Sequence, residues 1–317
     1  MRIVSLLPAA TEIVCALGLR SELVGRSHEC DFPADVEALP ALTRARVDST
    51  LPSDRIDAEV RRIMADRLPI YMLDEARLAA LAPDVVVTQE ACEVCAISYD
   101  QVVRSLRRTA PQARVVSLQP ARLGDIWSDI RAVAKACGVP ERGEAVVADL
   151  LARLEHARHA TPRSACSASS VSSPRVAVVE WLAPPMLAGH WVPEATLAAG
   201  GTPVGPVAGV MSAYATWDEI RALRPDAVIV APCGFDLPRT LRESGPVAET
   251  LQSLAPQVLF MDGNAYLNRP GPRIVEAIET IAGWLRGEAV PKERALIAAA
   301  ARSVSRDLSS TSALRAR

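Results

Sequence analysis

The sequence predicts an α/β protein of two Rossmann-like lobes, each built on a parallel sheet. The strongest observation is an internal echo. Residues 77–89 read RLAALAPDVVVTQ and residues 219–232 read EIRALRPDAVIVAP. Each is a helix end, then Pro-Asp, then an apolar β-branched run of the kind that forms a buried parallel strand. The echo continues in VRSLRRTAPQARVVSLQ (103–119) and LQSLAPQVLFMDG (251–263), where helix, Pro-Gln and strand recur. Length is the other observation, since 317 residues exceed one comfortable core and fit two domains of ordinary size. Two similar lobes imply a cleft between them, the expected place for a ligand.

The elements follow in order. In the first lobe, 1–122, strands are expected at 2–7, 23–27, 84–89 and 114–118, separated by helices, the alternation of a doubly wound sheet. The opening IVSLLPAATEIVCALG turns at Pro8 from strand into a helix that Thr11 is expected to cap. Residues 43–75 interrupt this pattern with a polar, Asp- and Arg-rich insert, helical around Ile56–Ala65. Residues 123–160 are helical throughout and broken by Gly138-Val-Pro. The second of these helices, 141–160, carries Val146, Val147, Leu150, Leu151 and Leu154 on one face and is expected to join the lobes stiffly. The Ser-rich stretch 161–174 reads as a flexible surface loop. Strand 175–181 opens the second lobe, 175–287, which has further strands at 226–231 and 258–262. Residues 288–317 read as an appended tail.

Composition narrows the function. Half the residues are apolar and 23% are charged, the profile of a soluble globular protein. A net charge of −2 offers no basic footprint for nucleic acid. No apolar run is long enough for a membrane span. The first apolar stretch is interrupted by Pro8 and Glu12 and preceded by a single cation, Arg2, so it does not read as a secretion signal. Seven cysteines without such a signal fit free thiols or metal ligands better than disulfides. The expected compartment is therefore the cytoplasm, with the periplasm as the alternative if the start codon is misplaced.

Resemblance sharpens the fold. RIVSLLPAATEIVCALGLRSELVG at the start, the Leu-x-Pro-Asp strands and the long mid-chain helix resemble the class III substrate-binding proteins, the iron-siderophore/cobalamin-binding family of ABC transporters. The likeness covers roughly residues 2–286. SHECDFP (27–33) and RPGPR (269–273) make the cobalamin-binding branch the most similar. The resemblance implies two lobes with limited hinge motion, a ligand held between them, and an ABC permease as partner if the protein is exported.

Site residues follow from the rule that ligands bind beyond the carboxyl ends of parallel strands. In the first lobe these ends carry His28, Glu29, Cys30 and Asp31, then Glu90 with the pair Cys92 and Cys95. Thiolates with His28 suit zinc, iron or an iron–sulfur cluster, whereas cysteines after strands also serve as small apolar packing or as a redox pair. Cys15 and Cys137 fall on helix patterns as core, and Cys166 lies in the Ser-rich loop. His28 can ligate a metal or corrinoid, or cap its own turn. His156 and His159 fall on the polar side of the long helix.

In the second lobe the strand ends carry Glu180, Trp181, His190, Trp191, Glu194, Cys233, Asn264, Tyr266, Arg269 and Arg273. Trp181, Trp191 and Tyr266 are expected to pack on a flat ring, or else to close the lobe's apolar edge. Arg269 and Arg273 frame a helix start as a clamp for anionic or polar groups, or Arg273 instead pairs with Glu276 or Glu279. Trp127 and Trp284 read as core, and Trp217 as the anchor of a helix capped by Thr216. No nucleophile elbow, phosphate loop or His-Glu-x-x-His accompanies the carboxylates, so no catalytic residue is assigned.

The expected function is thus capture, without bond chemistry, of cobalamin or another metal-containing small ligand. His28, Glu29, Trp181, His190, Trp191, Tyr266, Arg269 and Arg273 would contact it. The alternative is a cytoplasmic metalloprotein or metal-dependent enzyme whose own metal is held by His28, Cys30, Cys92 and Cys95.

Overall fold

The computed structural model describes residues 1–89, 99–159 and 173–298. It divides into two compact units, 1–150 and 151–317.

The first unit is built on a four-stranded, all-parallel sheet. In chain order it has β1 (Ile3–Ser5), α1 (Pro8–Ala16), β2 (Leu23–Gly25), β3 (Thr43–Ala45), α2 (Ser53–Ala65), β4 (Tyr71–Leu73), α3 (Glu75–Leu81), β5 (Val85–Gln89), α4 (Tyr99–Thr109), β6 (Arg114–Leu118) and α5 (Leu123–Ala136). The sheet order is β2-β1-β5-β6, so the chain leaves β1 in one direction and returns on its other side. Val85, Val86 and Val87 are wholly buried, as a parallel strand covered on both faces requires.

Two details differ from the sequence reading. The 43–75 insert is more than a helix, because β3 and β4 flank α2 and pair antiparallel, Ala45 opposite Tyr71. Helix α1 starts at Pro8, whose ring suits the first helical position, so Thr11 lies inside the helix and caps nothing. Its hydroxyl instead lies 2.8 Å from the Ser5 hydroxyl at the end of β1.

Helix α6 (Pro140–His159) contains the boundary between the units. Gly143, Val147, Leu150, Leu154 and Ala157 are its buried positions, at the 3.6-residue spacing of one helical face. Leu151, assigned to that face from sequence, is instead 38% exposed. His156 is exposed, as the polar side of the helix predicts.

The second unit continues with β7 (Arg175–Leu182), β8 (Pro185–Leu187), α7 (Val192–Ala198), β9 (Thr202–Pro203), β10 (Ala213–Tyr214), α8 (Trp217–Ala222), β11 (Ala227–Val230), α9 (Leu237–Ser244), α10 (Ala248–Leu254), β12 (Gln257–Met261), α11 (Ile274–Leu285) and β13 (Ala295–Ala298). Its sheet runs β10-β8-β7-β11-β12-β13, with β9 also on β7. β7, β11 and β12 are parallel, and the flanking strands β8, β10 and β13 add antiparallel pairs. β13 comes from the stretch read as a tail, and its Ala295 is fully buried opposite Met261. Trp127 and Trp284 are core residues, and Thr216 caps α8 in a capping box with Glu219.

The echoed Leu-x-Pro-Asp motif does the same job in both units. The Asp84 carboxylate accepts the Arg2 backbone N–H at 2.7 Å, while Arg2 Nε donates to the Leu81 carbonyl. In the second unit Asp226 accepts the Arg175 N–H at 2.8 Å, and the Arg175 guanidinium donates to the carbonyls of Leu223 and Arg224. Each arginine opens the first strand of its sheet and caps the last carbonyls of the helix before the neighbouring strand. The residues before the prolines, Ala82 and Arg224, adopt positive φ, which ends each helix and redirects the chain into the sheet.

Candidate functional site

In the first unit the functional candidates cluster in the turn after β2. Arg26 shapes this turn. Its guanidinium donates to the carbonyls of Ser27, His28 and Glu37, so the backbone of residues 27–28 is held on one cation. His28 is half-buried, and its Nδ1 lies 2.7 Å from the Thr43 hydroxyl of β3. The His28 backbone N–H donates to the same oxygen at 3.0 Å. Thr43 in turn donates to Ser27 Oγ at 3.0 Å. Burial, and secondarily the Arg26 charge, holds the His28 imidazole below its usual pKa. The Tyr71 ring of β4 stands 5.5 Å from the His28 ring, and its hydroxyl donates to Glu29 at 2.9 Å.

The insert strands therefore build the surroundings of His28. Sequence reasoning missed Ser27, Thr43 and Tyr71, because no local pattern ties a residue at 43 or 71 to one at 28.

Cys30 faces elsewhere. It is 1% exposed, and its Sγ lies 2.9 Å from the Thr11 hydroxyl on α1. Thus His28 rests on β3 and Cys30 on α1. Cys92, Cys95, Glu90 and Cys166 lie outside the described residues. Among the described residues no three His, Cys, Asp or Glu side chains gather so as to hold a metal ion. Cys137 is core, while Cys15 is half-buried with its thiol pushed up to about 11 by burial.

In the second unit the ends of β7, β11 and β12 interlock. The Cys233 N–H donates to the Glu180 carbonyl, the Asn264 N–H to the Phe235 carbonyl, and the Asn268 amide to the Ala231 carbonyl. Gly263 makes this possible. A Cβ there would run into the Pro232 carbonyl oxygen and the Ala231 backbone, so only glycine allows the two strand ends to approach. Asp262 caps the following single turn, Gly263–Leu267, by accepting the Ala265 N–H at 2.7 Å. Burial raises the Asp262 pKa, opposed first by the hydrogen bond from the Ala265 N–H and then by the charges of Arg269 and Arg273.

On this platform Trp181 packs against Phe235, centroids 5.1 Å apart, and Arg239 stacks on the Phe235 ring at 3.7 Å. Tyr266 lies within reach of two guanidiniums, Arg273 at 5.2 Å and Arg294 at 5.6 Å. Arg269 is buried and donates to Asn264 at 3.1 Å. Glu276 pairs with Arg294 and Glu279 with Arg153, both at 2.8 Å, so the sequence alternative in which these glutamates serve Arg273 gives way to other arginines. Sequence reasoning misses Arg294, because its segment reads as a tail.

Trp191 precedes α7 and donates from Nε1 to the Leu267 carbonyl at 2.9 Å, which ties it to the Tyr266 turn. Its neighbour His190 has φ of 50° and packs ring to ring with it at 5.7 Å. The His190 N–H donates to the Val210 carbonyl, and the Gly209 N–H donates back to the His190 carbonyl. These bonds staple a loop whose Val207, Val210 and Met211 are exposed, as is Tyr214 of β10 that follows it. Burial lowers the His190 pKa. In the second unit Trp191, Tyr266 and Arg273 thus meet around the Gly263–Leu267 turn, with Arg269 buried beside it and Glu194 in the first turn of α7. Aromatic faces next to fixed guanidiniums can pack a flat ring and hold its polar edge.

The comparisons with known proteins agree with the architecture. A family model described as "Periplasmic binding protein" matches residues 3–234. Among solved structures, the periplasmic vitamin B12 binding protein BtuF of Vibrio cholerae is similar, with 20% identity, a TM-score of 0.64, and 90% of this chain and 96% of that one covered. The periplasmic heme-binding protein RhuT from Roseiflexus sp. RS-1 has 22% identity and a TM-score of 0.63, covering 90% and 98%. A periplasmic heme binding protein from Pseudomonas aeruginosa has 19% identity and a TM-score of 0.64, covering 95% and 98%. At these identities the likeness is one of fold. No curated protein sequence matches the chain.

Proposed function

Because the chain belongs to the periplasmic binding protein family, we propose that it captures a cobalamin-type or other metal-containing tetrapyrrole and passes it to an ABC permease. The observation that carries this reading is the Gly263–Leu267 turn of the second unit, where Tyr266 stands beside Arg273 and Trp191 is tied to the Leu267 carbonyl, while Trp181 packs on Phe235 at the neighbouring strand ends. A planar macrocycle has two apolar faces and a polar rim, and this set matches both. The exposed apolar loop at Val207–Met211 adds a greasy wall beside His190. In the first unit taken by itself, His28 and Glu29 are the candidate contacts. Similar folds whose ligands are vitamin B12 or heme support the same ligand class. The action is binding and release, with no bond made or broken in the macrocycle.

The reading is tested by titrating purified protein with aquocobalamin and with haemin, followed by calorimetry and absorbance. Saturable binding of at least one, weakened in Trp181→Ala and Arg273→Ala, is expected. Failure of both to bind removes the proposal. The family and its relatives favour the periplasm over the cytoplasm as the working compartment, and cell fractionation with an antibody to the chain decides between them. The thiolate alternative keeps its own test. A metal content near one per chain in freshly purified protein, lost in Cys92→Ser and Cys95→Ser, would favour a resident metal over a captured ligand.

A further inference from the structure

The Tyr266 turn of the second unit is set among charges of both signs. Asp262 opens it at the end of β12, where its Oδ1 accepts the Ala265 N–H at 2.7 Å and its own N–H donates to the Arg294 carbonyl at 3.0 Å. A second carboxylate, Asp236, caps α9 by accepting the Arg239 N–H at 2.8 Å. The Asn264 N–H donates to the Phe235 carbonyl, which brings these two carboxylate-bearing turns side by side. The opposing charges are Arg269, buried on Asn264, and Arg273, which is only partly buried beside Tyr266. Arg294, the third guanidinium near Tyr266, pairs with Glu276. Burial makes Asp262 hold a proton more tightly than a free carboxyl does. The Ala265 N–H opposes this, the Asp236 charge adds to it, and the charges of Arg269 and Arg273 oppose it again. An anion arriving at Arg273 would cancel part of the positive field that keeps Asp262 ionised.

We propose that Asp262 couples capture to a proton: a carboxylate on the rim of the ligand settles at Arg273, and Asp262 takes up a proton from solvent as it does so. This rests on the capture of a metal-containing tetrapyrrole argued above, and it narrows the ligand class to macrocycles with rim carboxylates. The rim carboxylate stays ionised and the guanidinium stays protonated. One proton moves from solvent to the Asp262 carboxylate, and no electron is transferred. The physical cause is like charge in a half-buried turn. Asp236 and the rim carboxylate both repel an ionised Asp262, and protonating the carboxyl that burial already disfavours as an ion relieves them. A protonated carboxyl still has an acceptor oxygen for the Ala265 N–H, so the turn keeps its cap. The coupling is reciprocal: an anion that tightens the proton is itself tightened by the proton. Capture of a carboxylate-bearing ring strengthens as pH falls, and release is favoured as pH rises. A rim of uncharged amides gains nothing from the proton.

Calorimetry of the whole protein with haemin, in buffers of unequal ionisation enthalpy, counts the protons taken up on binding. Wild-type protein should show net uptake, with affinity rising about fivefold or more as pH falls from about 8 to about 5.5, the low end of ordinary coupling between sites. Haemin dimethyl ester is the comparison ligand. It shares the iron, so protons gained or lost there cancel, and it should lack the extra uptake and the rise. Asp262→Asn keeps an acceptor oxygen for the Ala265 N–H but cannot titrate, and it should lose both for haemin, with circular dichroism confirming that it folds. If that variant does not fold, the difference between haemin and its ester in wild-type protein decides alone. Haemin bound with no more proton uptake than its ester, or a wild-type pH response retained in Asp262→Asn, overturns the coupling while capture stands. Binding of aquocobalamin alone also overturns it, because the ligand then has no rim carboxylate. If no macrocycle binds at all, the capture reading falls and the coupling falls with it.

Discussion

Replacing Gly263 with alanine tests how the second unit assembles its candidate surface. Alanine is a better helix former than glycine by up to about 1 kcal/mol, so propensity alone favours the change at the start of the Gly263–Leu267 turn. The new methyl would, however, meet the Pro232 carbonyl oxygen and the Ala231 backbone, neither of which can rotate away as a side chain can. Overpacking of this kind costs about 1–3 kcal/mol. The net expectation is a loss of about 1–2 kcal/mol, or about 2–8 °C in the melting temperature of a unit of this size. Gly245→Ala is the control, since a Cβ there would have no neighbour within 4 Å and its φ is helical. It should be neutral or stabilise by about 0.4–1 kcal/mol. Scanning calorimetry and urea melts of both variants supply the comparison. If Gly263→Ala proves as stable as Gly245→Ala, the close approach of the two strand ends is not what glycine serves. The displaced turn should also carry Tyr266 away from Arg273, so macrocycle affinity should fall in Gly263→Ala and stay unchanged in Gly245→Ala.

Asp84→Ala and Asp226→Ala should destabilise their units similarly, by about 1–2 kcal/mol in urea melts, because each removes a charged acceptor for a strand's first N–H; a large effect in one alone would break the equivalence of the two motifs. Phe260→Ala, in the core of the second unit, should cost about 3–5 kcal/mol by the same measurement. Burial raises the Asp129 pKa from 3.8 to about 7, so the folded state holds its proton more tightly than the unfolded chain. Stability should therefore decline as pH rises from about 4 to about 7, and Asp129→Asn should flatten that decline; a wild-type slope retained in the variant would refute the assignment. Among Cys15, Cys30, Cys137 and Cys233, an alkylating reagent followed by mass spectrometry should modify exposed Cys233 first, with buried Cys30 and Cys137 protected.

Particular residues show how far the sequence can be read. The Leu-x-Pro-Asp echo locates β5 and β11, because a run of buried β-branched residues after Pro-Asp has few other solutions. Trp127, Trp284 and the Thr216 cap are equally legible from helical spacing and capping chemistry. Thr11 reads wrongly as a cap because Pro8 can open a helix by itself. β13 escapes the sequence reading because ALIA after a charged stretch is too short to announce a strand until β12 offers it an edge.

Periodicity and turn residues by themselves determined a two-unit α/β scaffold and the strand ends at which His28, Trp181, Tyr266 and Arg273 stand. Those signals are local, written within one helix turn or one strand. Only the tertiary structure decided that Thr43 and Tyr71 surround His28, that Cys30 turns toward Thr11, and that Arg294 joins Arg273 at Tyr266. Most of these contacts join residues far apart in the chain, and they depend on hydroxyl and guanidinium geometry, which no spacing rule encodes.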